Sequence, residues 1–154
     1  MQVVVNADEP DLQEWGAERR RNAIDIADML GVSPEIYTRD PMSVIAVLDD
    51  YASRAPLDDF EESDWITLHV DLVSFLADFL IQRHGARWAL MDDPAGPVGY
   101  RYLIEAIGVD GQTRQIDPFE IVKMEFSARP IEIVRMLATA ELTLRLASEA
   151  GEAE

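Results

Sequence analysis

The chain has 154 residues, 48% of them hydrophobic and none of them cysteine, and its 30 acidic against 13 basic residues give a formal net charge of -17. That length predicts one domain spanning 1–154, with a core large enough to need neither disulfide nor structural zinc. Nucleic acid and anionic membrane are disfavoured as direct partners by a field of this sign, which attracts basic proteins or cations, and the missing thiol removes cysteine catalysis.

Residues 1–9 lack the basic and apolar regions of a secretory signal, so a cytoplasmic protein is expected. A short extended piece is expected at 3–5, with frayed ends at 1–9 and 149–154. Leu12, Trp15, Arg19, Ala23, Ile26 and Leu30 recur at helical spacing, which predicts a first helix over 11–30 with Gly31 as its stop. A Ser33-Pro34 connection follows. Asp40-Pro41 starts the next helix, with aspartate as N-cap and proline in the first turn. It runs to about residue 54 and should turn Val44, Val47, Leu48 and Tyr51 to the core.

A densely acidic connection, 58–64, leads into the longest helix, expected over 63–83 and closed by Gly85. Its polar residues Asp64, Thr67, Asp71, Ser74, Asp78 and Gln82 form one narrow stripe, and most of the remaining circumference is apolar. Such a helix belongs at the centre of the core. The apolar run 72–81 is interrupted by Asp78 and is too short to span a bilayer.

Beyond Gly85 the periodicity changes. Strands are expected at 87–91, 100–107 and 113–116, joined by the turn at 92–97 and by an Asp110-Gly111 hairpin signal. Asp117-Pro118 repeats the helix-start signal, so 119–126 reads as a short helix, with a fourth strand as the alternative because Ile121 and Val122 are β-branched. A last helix is expected from Arg129-Pro130 to about residue 147. The fold class is therefore α+β: a helix-rich domain with a long central helix and a three-stranded antiparallel meander.

Few residues suggest chemistry. His69 faces the apolar side of the long helix, where a backbone carbonyl usually satisfies it, and His84 suits the negative end of the same helix. No phosphate loop, nucleophile elbow or zinc-binding histidine motif is present. Asp64, Asp71 and Asp78 are a heptad apart, about 10 Å between successive carboxylates, too far for one metal ion. The pairs Asp49-Asp50, Asp58-Asp59 and Asp92-Asp93 lack the alternation of a calcium loop. The cluster Arg19-Arg20-Arg21 is expected to pair with acids such as Glu18 and Asp25. Twelve of the thirteen bases are arginine and only Lys123 is lysine, which fits a GC-rich bacterial coding sequence or a halophile's solvated surface. No catalytic residue, metal or cofactor is expected.

From the long helix onward, three stretches carry a family likeness: 74–80 around Asp78, 85–88 ending in Trp88, and 118–123 with Pro118, Phe119 and Lys123. Over roughly 64–126 the chain resembles small bacterial α+β domains of the immunity and accessory-protein type, with Ser74 and Ala77 where their pattern has glycines. The resemblance implies no catalytic residues. The leading expectation is a non-enzymatic module that engages a basic protein, as an immunity protein or inhibitor does. Its partner-binding residues would be Asp58, Asp59, Glu61, Glu62, Asp64, Asp71 and Asp78. The alternative is a structural, assembly or secretion-accessory component acting as a homodimer or larger homo-oligomer.

Overall fold

A computed structural model describes residues 11–146; the extended piece expected at 3–5 and the tail at 149–154 lie outside them. The described residues form six α-helices and one three-stranded sheet, and helices and strands together share one hydrophobic cluster.

Helix α1, Leu12–Met29, starts on Asp11, whose Oδ1 accepts the Glu14 amide at 3.1 Å. Helix α2, Pro34–Arg39, occupies the expected connection: Ser33 caps it through the Ile36 amide, with proline in its first turn. Six residues are too few for a hydrophobic period to show, yet this turn places Tyr37 in the core at 0% exposure. Asp40 then caps a 3₁₀ turn, Pro41–Val44, that runs on into α3, Ile45–Arg54.

Helix α4, Glu62–His84, is the centre of the molecule. Every residue from 72 to 80 is buried, including Ser74 and Asp78. Gly85 ends it with φ 68, a left-handed cap that a side chain would strain.

Strands β1 (Arg87–Asp93), β2 (Gly99–Ile107) and β3 (Thr113–Ile116) pair antiparallel in chain order. Trp88 lies opposite Ile104, and Ile104 opposite Ile116. With Tyr102 and Ala106 these residues make the face that packs on α1 and on α5, Pro118–Ser127. Segment 119–126 is thus helical, with Asp117 accepting the Phe119 amide at 2.9 Å. Gly108 is required by proximity: a Cβ there would sit 2.8 Å from the Leu144 carbonyl oxygen.

Two expectations need correction. Helix α6 is Ile133–Thr143 and does not start at Pro130. Its start is set by distant groups: Asp49 accepts the Ile133 amide at 2.8 Å, and buried Glu125 accepts the Glu132 amide at 2.9 Å. The chain leaves the helix at Arg145, whose φ is 59, before reaching 147. Along the 3₁₀ turn and α3, the buried stripe is Val44, Leu48 and Ala52. Val47 and Tyr51, expected inside, are 36% and 41% exposed.

Candidate functional site

The acidic stripe of α4 meets three different surroundings along one helix face. Asp78, at its inner end, is 3% exposed. Its Oδ2 accepts the Tyr37 hydroxyl and the Gln82 side-chain amide, both at 2.6 Å, and its Oδ1 accepts Arg20 Nη1 at 3.2 Å. Burial, and the Asp78 charge, push the Tyr37 phenol above its ordinary value and keep it a donor. Asp78 therefore knits α1, α2 and α4 together and has no face to offer a partner, which corrects its expected role. Arg20 reaches across to Asp78 in place of the neighbours on its own helix.

One heptad away, Asp71 is half-buried. Its Oδ1 accepts Asn22 Nδ2 at 3.3 Å, and the same amide donates to Ser74 Oγ at 2.9 Å. Burial raises the Asp71 carboxyl above the usual aspartate range, with Asn22 and then Arg19 opposing the shift. Asp64, a further heptad out, is exposed; its Oδ2 accepts the Glu61 amide at 2.9 Å and steadies the first turn.

Asp64 and Asp71 form one wall of a groove of about 580 Å³ between α4 and α3. The groove exists because α3 packs chiefly on α6 and on the preceding 3₁₀ turn, and leaves the outer half of α4 uncovered on that side. Its apolar lining comes from Leu30, Val47, Tyr51, Ala55, Pro56, Phe60 and Leu68. Asp50 stands on the α3 wall and is already bonded by Arg54 Nε at 3.0 Å. Among the described residues, the remaining carboxylates of the groove, Asp64 and Asp71, have no cationic partner within salt-bridge distance.

The other expected contact residues scatter. Asp58, 98% exposed, reaches Arg129 Nη1 at 3.3 Å, and Asp59 lies beside it in a separate shallow depression. Glu61 precedes α4 as its N-cap residue. Glu62 faces a second groove on the opposite flank of α4, with Trp65, Ile66, His69, Lys123, Phe126 and Arg129. Of the seven, Asp64 and Asp71 share the groove and Asp58 and Asp59 share the separate depression, while Glu61, Glu62 and Asp78 stand apart. The floor residues Val47 and Tyr51 have helical spacing, which by itself predicts a place in the core. Positions 44, 47, 48, 51 and 52 have the spacing of one ordinary core-facing stripe, so the sequence carries no signal that 47 and 51 stay open.

An aromatic cavity of about 500 Å³ lies at the far end of the sheet. There Trp15 stacks on Tyr102 with ring centres 3.7 Å apart, under the Arg19 guanidinium at 4.7 Å. Arg101 closes its rim by bridging Asp93 at 3.3 Å and Asp117 at 3.1 Å. The rings thus stack on one another and the rim charges pair internally.

Neither histidine is set beside a nucleophile. His69 Nε2 meets the Phe119 carbonyl at 2.8 Å, and His84 Nε2 meets Glu141 at 2.8 Å, joining α4 to α6. Among the described residues, no group of three His, Cys, Asp or Glu side chains is placed to hold a metal ion. Nor is any described helix long and apolar enough to cross a membrane. The chain matches no protein-family model, and no curated protein and no solved structure matches it either.

Proposed function

We propose that the protein is a non-enzymatic binding module that holds a basic protein through the groove between α3 and α4, in the manner of an immunity protein or inhibitor. The observation that carries this reading is an apolar floor left open beside Asp64 and Asp71, neither of which has an ion-pair partner among the described residues, on a chain whose net charge is -17. Tyr51 and Val47, both partly exposed, give the groove an apolar floor beside Asp64 and Asp71. The overall field draws a basic partner in, and the apolar floor retains it. Association of a basic protein probe should therefore slow steeply as salt is raised. Binding that is indifferent to salt, or that is unchanged when Asp64 and Asp71 are both made asparagine, would count against the groove.

One observation favours a second reading. The groove on the opposite flank of α4 holds Lys123 beside the exposed Ile66, with Glu62 and the Asp58-bound Arg129 on its rim, so Lys123 is the cation it offers an acidic groove. A second copy could thus supply the basic partner and produce a homo-oligomer. Light scattering over a range of concentrations separates the two: a monomer at all concentrations leaves the foreign partner, and a salt-sensitive dimer supports self-association.

A further inference from the structure

Resting on the reading of the groove as a basic-partner site, we infer that its occupant is an amphipathic α-helix carrying two basic residues seven positions apart. Three features of the groove lead to this class of ligand.

The first is backbone satisfaction. The long sides are helices, whose mid-helix amides and carbonyls are bonded along their own axes, and only the 55–60 connection at one end is irregular. The floor is side chains of Val47, Tyr51, Phe60 and Leu68. A segment lying on that floor finds few backbone groups to pair with, so its own peptide groups must be satisfied internally, which a helix does and an extended strand does not. The second is spacing. Asp64 and Asp71 sit on one face, about 10 Å apart along α4. A helix packed nearly parallel to α4 repeats that distance, and the same facing, at every seventh residue. An extended chain returns to the same face after about 7 or about 14 Å, and so does not match the Asp64–Asp71 spacing.

The third is charge state. Asp71 is half-buried with an amide, Asn22, as its hydrogen-bond partner, and among the described residues no cation within salt-bridge distance balances it. An incoming guanidinium or ammonium supplies the missing countercharge, while apolar residues of the same helix face cover Tyr51 and Val47. Tyr51 is the natural anchor: it is large, 41% exposed and central to the floor.

Synthetic peptides of about four helical turns test this directly. One carries leucines on one stripe with flanking arginines seven apart. A second has the same composition with the arginines five apart, and a third has a central proline that breaks the helix. Binding to the intact protein is followed by fluorescence anisotropy, and its location by amide and methyl NMR shifts. The heptad peptide is expected to bind about tenfold more tightly than either control, to shift Val47, Tyr51 and Leu68, and to gain helicity on binding. Tyr51→Ala should weaken it about tenfold or more. Thr67→Arg, an exposed change between the two carboxylates that leaves the core untouched, should weaken it comparably. If all three peptides bind alike and shift the groove residues, the basic-partner site stands and the helical occupant falls. If none of them shifts the groove, both fall.

Discussion

The two halves of α4 carry the same kind of residue on the same face and use it in opposite ways. In the inner half, Asp78 is enclosed, and its three partners come from α1, α2 and its own helix. In the outer half, Asp64 and Asp71 border an open groove and make no ion pair among the described residues. A buried carboxylate is tolerated only when its oxygens are fully bonded, so the inner half is committed to holding helices together. A partly solvated carboxylate can stay unpaired, which leaves it available. The acid stripe is thus a structural tie at one end and a candidate recognition element at the other.

The sharpest way to break this contrast is Asp78→Ala. It leaves the Tyr37 hydroxyl without its acceptor and the Arg20 charge beside the core, and should cost about 3–5 kcal/mol in urea denaturation. Tyr37→Phe removes one donor but leaves Arg20 and Gln82 in place, so about 1–2 kcal/mol is expected. If Asp78→Ala costs no more than a surface change, the tie between α1, α2 and α4 is misassigned.

A second pair of substitutions sets floor against core on one helix. Leu48→Ala, at 1% exposure, should cost about 2–5 kcal/mol. Tyr51→Ala, one turn on and facing the groove, should stay within about 0.5 kcal/mol. Equal losses at the two positions would mean that Tyr51 belongs to the core after all and that the groove has no apolar anchor. An effect between these two is expected from Asp64→Ala, about 0.5–1 kcal/mol, since it loses the hydrogen bond to the Glu61 amide at the start of α4.

These positions also mark where local sequence stops being informative. Helix starts at Asp11, Asp40 and Asp117 follow from an aspartate capping nearby amides, and the Asp110-Gly111 turn and the strand spans follow from equally local rules. The whole meander and the central place of α4 were legible on that basis. Asp78 was not, because its burial depends on Arg20 and Tyr37, which are 58 and 41 residues away. The start of α6 depends on Asp49, 84 residues earlier. Helical periodicity marks Val47 and Tyr51 as apolar-faced, but whether another element covers that face is decided by how α3 docks. The candidate site is therefore half readable: its acids stand in the sequence pattern, and its floor appears only when α3 packs on α6.

Asp71→Asn gives the smallest effect and the most diagnostic one, because its sign changes with what is measured. Burial raises the folded-state pKa of this aspartate above its unfolded value. Ionised Asp71 therefore opposes folding: the folded state binds the proton more readily, so stability attributable to this group is fully present below the unfolded value and is lost as pH rises through the folded value. At neutral pH, Asp71→Asn should be at least as stable as the parent, and its advantage should disappear as pH falls below the ordinary aspartate range. Removing any one charge from a chain of net charge -17 also relieves general repulsion, so Asp59→Asn, an exposed position, is the control to subtract. Binding of a cationic helix should move the other way, weakening in Asp71→Asn at neutral pH and converging with the parent in acid. A residue whose removal favours the fold and disfavours the complex is held in place for the complex. If Asp71→Asn is less stable than the Asp59→Asn control at neutral pH, the carboxylate is structural, and the outer half of α4 is only a weaker copy of the inner one.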